Sequence, residues 1–274
     1  MSPAPLPGTA RDAQAAARLI GGLRGNFLGR PREREIAAAI LARWPHFAGL
    51  VRDADRFHSR AAVHAVLGGA RAVVLGASGY PLGRHGPPVH HAAMAAAPEA
   101  RFTYASADPV IAKIRAGWIR RAGEQDRVRA ACRRLGDVAG IIADAGGGAI
   151  QVQMWLCAQW FPAWYARTLL AEYGRLLAPG SSVAVTWISA AAGPDGDALL
   201  RLLGDGVSPD GGQPCRAYRH GREDMAAWLD AAGLALIDPP GITDVRAHDQ
   251  QWADRQFAPL PGGTILELVA TRRA

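Results

Sequence analysis

Residues 72–75 are apolar without interruption and lead directly into a Gly-x-x-Gly turn at residues 76–79. A buried strand ending in such a turn typically opens a nucleotide-type βαβ unit, because glycine lets the backbone approach a ligand without an intervening Cβ atom. Residues 89–97 are rich in alanine and are closed by Pro98, which predicts a helix. The next strand is then predicted over residues 101–106.

The alternation of strand and helix patterns continues along the chain. Strands are predicted over residues 71–77, 101–106, 127–132, 149–156, 181–189, 234–238 and 264–271. Further helices are predicted over residues 110–122, 163–177, 195–203 and 223–232. This order indicates a mostly parallel sheet with helices on both faces, which binds ligands at the carboxyl ends of its strands.

The residues before the first strand have a helical pattern, with predicted breaks near Gly21-Gly22, at residues 25–31 and at Trp44-Pro45. A chain of 274 residues can bury a substantial core. We expect a disordered tail over residues 1–10, a helical N-terminal cover or lid over residues 11–67, and a Rossmann-like domain over residues 68–274.

Composition favours a cytoplasmic protein. The N-terminal residues lack a basic region followed by an apolar core, so no secretory signal is predicted, and no segment approaches 18 uninterrupted apolar residues, so no membrane span is expected. Cys132, Cys157 and Cys215 fit no metal-binding spacing and are expected to be reduced thiols. No metal is expected, because no carboxylate or cysteine lies at helical spacing from the histidines at 85, 90 and 91.

The net charge of +7 comes almost wholly from arginine, with a dense basic stretch between residues 113 and 134. Such a stretch could steer an anionic substrate, but a solvated basic face is the simpler interpretation. Trp118 is its only aromatic residue, and nucleic acid is therefore not an expected partner. We expect a hydrophobic small molecule as ligand, and a homodimer remains open.

Several short motifs occur in a fixed order. They are Leu19-Ile20-Gly21-Gly22 with Asn26-Phe27, Asp55-Arg56, Gly76-Ala77-Ser78-Gly79-Tyr80-Pro81, Val89-His90-His91, Tyr104 with Asp108-Pro109-Val110, and Leu177-Ala178-Pro179-Gly180-Ser181. In these motifs the chain resembles the actinobacterial S-adenosylmethionine-dependent methyltransferases of the DUF574 group, over about residues 18 to 190 and more weakly beyond. The resemblance implies a class I methyltransferase fold with a seven-stranded sheet and a helical N-terminal segment over the cofactor.

The resemblance also implies where ligands bind. The cofactor positions are the glycine turn and the ends of the next two strands, namely Gly76, Ser78, Gly79, Ser106, Asp108 and Cys132. The substrate positions in the cover are Gly21, Gly22, Asn26 and Phe27.

The acidic residues of the family pattern are replaced in this chain. Where the family pattern has an acid just ahead of the glycines, this chain has Leu75. The position of the ribose-binding acid corresponds to Ser106, and that of the acid near the adenine to about Cys132. Losing one charged acceptor costs roughly 1.5 to 3 kcal/mol, so the losses together weaken cofactor binding more than about a hundredfold unless another acid compensates. The acids that could compensate are Asp108, Asp137 and Asp144. Asp108 is equally a cap for the helix that begins at Pro109.

Two groups of side chains are candidates for chemistry. His90 and His91 follow the glycine turn, which also carries Tyr80, and imidazole suits proton transfer near neutral pH, although structural histidines are common. At the end of the fourth strand and into the next helix lies a predicted aromatic wall for an apolar substrate, with core packing as the alternative; its members are Trp155, Trp160, Phe161, Trp164 and Tyr165. Gln159 is predicted to point into that pocket and polarise a substrate carbonyl.

Three functions fit these patterns. The first is a methyltransferase fold repurposed for a hydrophobic small molecule without use of the methyl group, as a cyclase, isomerase or lyase of specialised metabolism. The second is an S-adenosylmethionine-dependent methyltransferase with a rebuilt cofactor site. The third is a non-catalytic binding or regulatory protein. The chain has neither a Gly-x-Ser-x-Gly elbow nor a Walker loop, which argues against a hydrolase or a P-loop nucleotidase.

Overall fold

The computed structural model describes residues 10–23, 30–77, 89–189, 193–207, 216–237 and 265–273. Seven strands of these residues form one sheet, in the order β3-β2-β1-β4-β5-β7-β6. The strands are β1 (Ala72–Gly76), β2 (Arg101–Ser106), β3 (Val128–Cys132), β4 (Ile150–Met154), β5 (Ser182–Ile188), β6 (Leu234–Ile237) and β7 (Ile265–Arg272).

Nine helices accompany the sheet within the described ranges. They are α1 (Ala10–Leu23), α2 (Pro31–Arg43), α3 (Phe47–Leu67), α4 (Val89–Ala96), α5 (Pro109–Ala122), α6 (Val138–Asp144), α7 (Ala163–Leu176), α8 (Pro194–Val207) and α9 (Arg222–Ala231). A 3-10 turn covers Ala158–Trp160. None of the helices in the described part of the chain combines the length and the apolar character needed to cross a bilayer.

Strands β1 to β5 are parallel, and β7 runs antiparallel between β5 and β6. Every residue of β1, β4 and β5 is buried, as expected for central strands covered on both faces. The prediction of a mostly parallel seven-stranded sheet is therefore confirmed, and all seven strands lie close to their predicted positions.

The core has a layer on each face of the sheet. On one face Val73 and Leu75 of β1 pack in a cluster with residues of α3, α4 and α5. On the other face Ala72 and Val74 pack in a cluster with residues of α6, α7 and α9. Alternate side chains of one strand thus serve opposite layers, because successive side chains of a strand point to opposite faces.

The helical cover differs from the predicted one in two ways. The expected break at Gly21-Gly22 is wrong, because both glycines lie inside α1. A Cβ atom on Gly22 would lie 3.0 Å from the Cβ of Ala37, so small residues let α1 approach α2 closely. Helix α8, from beyond residue 190, also packs against α1 and α2, so the cover is not confined to residues 11–67. Residues 1–9 of the predicted tail lie outside the described residues, and residue 10 begins α1.

Aspartate caps explain where two helices begin. Asp108 Oδ1 accepts a hydrogen bond from the backbone N–H of Val110 at 2.7 Å, so the capping interpretation of Asp108 is the one that the structure shows. Asp137 caps α6 in the same manner through the N–H of Gly140 at 3.1 Å. Helix α6 was not predicted, because its seven residues are too few to display a helical period.

The packing of α7 against α9 gives a test of the fold. A Cβ atom on Gly174 would lie 1.9 Å from the backbone carbonyl oxygen of Ala232, so Gly174→Ala should destabilise the protein by about 2 kcal/mol or more. The control is Gly117→Ala in α5, where the nearest atom is 3.7 Å away. That substitution should leave stability unchanged or raise it by up to about 1 kcal/mol. Chemical denaturation measures the free energy of unfolding of both variants. If Gly174→Ala were as stable as Gly117→Ala, the close contact between Gly174 and Ala232 would be contradicted.

Candidate functional site

The candidate site lies where β1 and β4 end side by side. The connection from β1 leads to β2 on one side and that from β4 leads to β5 on the other, so a crevice opens between them at the carboxyl edge. Ala77 and Leu156 follow these strands with φ of 55° and 43°, the two non-glycine residues with positive φ among those described. Such residues store about 1 to 3 kcal/mol of strain each and concentrate at functional sites. We call this edge the mouth.

Two buried side chains hold the strained turn at Leu156. Its backbone N–H donates to Thr186 Oγ1 at 3.1 Å, and its carbonyl accepts from Gln159 Nε2 at 2.7 Å. Thr186 Oγ1 also lies 2.9 Å from Nε2 of His58 in α3. Gln159 Oε1 accepts from the N–H of Ile188 at 3.1 Å, which ties the turn to the end of β5.

Gln159 therefore has a different role from the predicted one. Its side chain is fully buried, and both ends of its amide are bonded to backbone groups. One amide N–H is not used by these bonds, but the side chain has no exposed surface through which a substrate carbonyl could reach it. We correct the prediction and describe Gln159 as a residue that positions the mouth.

The predicted aromatic wall is only partly assembled. Trp160 is half-buried and packs against the core clusters of both faces, which places it at the edge of the sheet. Phe161 and Tyr165 are also half-buried, and their ring centroids lie 5.1 Å apart. Trp155 is buried in the cluster that contains α3, whereas Trp164 is 52% exposed. Within the part of the chain that the structure describes, we assign Trp160, Phe161 and Tyr165 to the aromatic surface of the mouth.

The space beside Gly76, at the end of β1, is filled by another side chain of the protein. A Cβ atom on Gly76 would lie 2.3 Å from Cδ2 of Leu135, so the leucine side chain fills the space that the missing side chain leaves. Gly76 is thus required for packing of the connection between β3 and α6. Close approach of a ligand is not needed to explain it.

The cofactor positions at the ends of β2 and β3, Ser106 and Cys132, offer no carboxylate. Ser106 is buried, its Oγ accepts the N–H of Asp108 at 3.2 Å, and exposed Cys132 pairs beside it in the sheet. Arg133 donates to Asp144 at 2.7 Å and to Asp137 at 2.9 Å, and these bonds raise the pKa of the guanidinium, chiefly through Asp144. The acids expected to compensate are therefore engaged elsewhere.

Asp108 is the exception. Its side chain is fully buried, and Oδ1 is used as the helix cap. Among the described residues, the second oxygen, Oδ2, has no hydrogen-bond partner. A buried carboxylate oxygen without a partner is costly, so Asp108 Oδ2 is an acceptor at the end of β2 that a ligand donor could satisfy.

His90 and His91 lie away from the mouth. His90 Nε2 lies 2.9 Å and His91 Nε2 2.8 Å from the two carboxylate oxygens of Glu124. The carbonyl of Glu124 accepts the N–H of Val128 at the first residue of β3, so the cluster is near the amino ends of the strands. The structure thus brings both histidines to Glu124, and their service at the glycine turn stays a prediction.

A buried chain of polar groups continues from His90. Its Nδ1 lies 2.6 Å from the hydroxyl of Tyr104, and the guanidinium of Arg115 lies 4.3 Å from the centre of the Tyr104 ring. Burial lowers the pKa of His90 to about 4 although Glu124 opposes the shift. Burial likewise raises the pKa of Tyr104 to about 12 and lowers that of Arg115. Arg115 thus departs from the predicted solvated basic face.

Several predicted site residues cannot be placed. Ser78, Gly79, Tyr80, Asn26 and Phe27 lie outside the described residues, as do His85 and Cys215. Gly21 and Gly22 belong to α1, and Gly22 faces Ala37 of α2.

Sequence reasoning missed Thr186 and Glu124. Thr186 is a polar residue inside a fully buried strand, a signal that could have identified it, because a buried hydroxyl must find a partner. Glu124 follows the histidines by 33 and 34 residues, and no local pattern connects them.

The hydroxyl of Thr186 provides a test of the mouth. Thr186→Val leaves the N–H of Leu156 without its acceptor and should lower the free energy of unfolding by about 1 to 3 kcal/mol. Thr186→Ser keeps the hydroxyl and should cost less. Denaturant unfolding of the three proteins measures the difference, and an equal loss for valine and serine would show that the hydroxyl does not hold the turn.

No family model and no curated protein matches the chain. Solved structures do match. A candidate methyltransferase from Thermobifida fusca YX is 14% identical, with 94% of each chain covered and a TM-score of 0.73. A DUF574 family protein from Streptomyces avermitilis is 20% identical, with 94% of this chain and 97% of that chain covered and a TM-score of 0.68.

A third structure is the S-adenosylmethionine-dependent methyltransferase SibL in its apo form. It is 19% identical, with 95% of this chain and 70% of that chain covered and a TM-score of 0.51. These likenesses agree with the resemblance to the DUF574 group that the motifs carry. At such identities they establish the architecture, and the chain has the class I methyltransferase fold.

Proposed function

We propose that the protein is an enzyme that binds a hydrophobic small molecule at the mouth and converts it without transferring a methyl group, as a cyclase, isomerase or lyase of specialised metabolism does. The observation that carries the proposal is the pair of residues at the ends of β2 and β3. Ser106 and Cys132 occupy the positions where the resemblance implies the carboxylates that bind the cofactor.

The described residues do not fit S-adenosylmethionine in its usual place. Ribose hydroxyls are held most strongly by a charged acceptor, and the hydroxyl of Ser106 at that position is neutral. Asp137 and Asp144 are paired with Arg133, and Leu135 fills the space over Gly76. Each lost charged contact weakens binding by roughly 1.5 to 3 kcal/mol. We therefore derive no chemical step through the cofactor.

The aromatic surface of the mouth supports the choice of an apolar ligand. Trp160, Phe161 and Tyr165 are half-buried, so each leaves part of its ring for contact with a ligand. Aromatic side chains are rigid and bury large apolar areas, and they can hold a flexible substrate in one conformer. A cyclisation or isomerisation rearranges bonds within one molecule, so orientation alone can supply much of the acceleration and no co-reactant is needed.

One observation favours a second candidate function. Asp108 Oδ2 is buried and has no partner among the described residues. A ribose hydroxyl that donated to it would satisfy the oxygen, and the protein would then be an S-adenosylmethionine-dependent methyltransferase with a rebuilt site. SibL, which shares the fold, depends on that cofactor.

Calorimetric titration with S-adenosylmethionine and S-adenosylhomocysteine distinguishes the two functions. We expect no saturable binding at millimolar ligand, because the carboxylate contacts are missing. The matched variant is Asp108→Asn, which can still cap α5 but loses the charge. Micromolar binding to the native protein would overturn the inference that the cofactor does not fit, and would favour either a methyltransferase or a fold that keeps the cofactor as a scaffold. A loss of at least about tenfold in Asp108→Asn would show that Asp108 holds the cofactor, as the second function requires.

The apolar ligand is tested with the hydrophobic probe 8-anilinonaphthalene-1-sulfonate. Trp160→Ala should weaken probe binding at least about threefold, because an aromatic contact contributes about 0.5 to 1.5 kcal/mol beyond its buried area. The control is Trp164→Ala, which removes an exposed tryptophan of the same segment. Equal affinity of both variants and the native protein would show that the aromatic surface does not bind apolar ligands.

A further inference from the structure

We propose that His90, His91 and Glu124 form a binding site for a divalent transition metal of the zinc type. The ligand atoms of the three residues all lie within 4.8 Å of one another. Two imidazole nitrogens and one carboxylate are a ligand set that zinc uses in proteins, with a fourth position left open. This site is distinct from the mouth, and it does not depend on the function proposed there.

The geometry requires little movement to accept an ion. Nε2 of His90 and Nε2 of His91 each face a different oxygen of the same carboxylate, at 2.9 Å and 2.8 Å. Ligand atoms around a tetrahedral zinc are about 3.3 Å apart, since each lies about 2.0 to 2.1 Å from the metal. Small side-chain rotations that widen the two contacts by about half an ångström therefore open a position between the three residues.

Neighbouring histidines on a helix normally point in different directions, because successive side chains are about 100° apart. His90 and His91 are in the first turn of α4, and their rings lie 4.5 Å apart and nearly perpendicular. Both nevertheless direct Nε2 to Glu124. The main chain of Glu124 is fixed by two backbone bonds, from its N–H to the carbonyl of Ile119 and from the N–H of Val128 to its own carbonyl. The side chain therefore starts from a fixed point, and the two imidazoles orient its carboxylate.

The surroundings of His90 suit a ligand. Metal-bound histidines usually donate their second ring N–H to a fixed acceptor, which sets the tautomer and the orientation of the ring. Tyr104 Oη lies 2.6 Å from His90 Nδ1 and can either donate to it or accept from it. A metal bound at Nε2 of His90 requires the neutral tautomer whose ring proton is on Nδ1. That N–H would then donate a hydrogen bond to Tyr104 Oη. Arg115 stacks over the Tyr104 ring and fixes its position.

The cluster also has an entrance. The exposed fraction of the side chain rises from 4% for His90 to 19% for Glu124 and 46% for His91. An ion can thus enter from the side of His91, and water can complete the coordination there. The bound ion would join α4 to the segment between α5 and β3, so its expected effect is to stabilise this edge of the fold.

The test is titration of Zn²⁺ into the full-length protein, prepared without a histidine tag and treated with a chelator. We expect one Zn²⁺ per chain, and a rise in the melting temperature when it binds. Co²⁺ substitution adds an absorption spectrum that reports the coordination geometry. The variants are His91→Ala and Glu124→Gln, which each remove one ligand, and Tyr104→Phe, which removes only the partner of His90.

The expected order of effects separates a metal site from a set of hydrogen bonds. Tyr104→Phe should weaken Zn²⁺ binding about tenfold, as for other partners of ligating histidines, and the ligand variants should weaken it more. His64→Ala, a histidine of α3 outside the cluster, is the matched control and should bind as the native protein does. Circular dichroism checks that each variant is folded. Because His91 is exposed, His91→Ala is the ligand variant that should disturb the fold least.

Two results would overturn the proposal. The first is the failure of the native protein to bind Zn²⁺ or Co²⁺ at micromolar concentrations. The second is binding that His91→Ala and Glu124→Gln leave unchanged, which would place the ion elsewhere on the chain.

Discussion

The geometry of the mouth depends on how the chain turns after β4. Leu156 adopts a left-handed conformation that costs free energy, and only bonds to its neighbours can keep it there. Thr186 supplies an acceptor for its N–H and Gln159 a donor for its carbonyl, so both backbone groups are satisfied inside the core. Because Thr186 also contacts His58, the helix that covers the sheet and the turn that shapes the mouth are parts of one buried network.

Much of the fold could be predicted because strands of this kind leave a strong local signal. Buried parallel strands are short apolar runs between turn residues, and residues 72–76 and 182–188 are clear examples. Local signals fail where a neighbour decides the outcome. Gly21 and Gly22 lie inside α1, where Gly22 packs against Ala37 of α2, and α6 is too short to show a period.

The candidate site was less predictable, since its properties arise between distant residues. The side chain of Gln159 has the chemistry to polarise a carbonyl, but its partners on β5 and at Leu156 are visible only in three dimensions. The metal cluster joins α4 to a carboxylate more than 30 residues away. A search limited to helical spacing finds no such carboxylate, which is why no metal was expected.

The position of β7 has a consequence for how the protein folds. This strand lies between β5 and β6, and β6 pairs with no other strand of the sheet. Until β7 is in place, β6 has no partner among the described strands and this edge of β5 stays open. Unpaired strand edges are prone to association with other chains. This half of the sheet is therefore closed only when β7 docks, and before that step the edge of β5 is open to association with other chains.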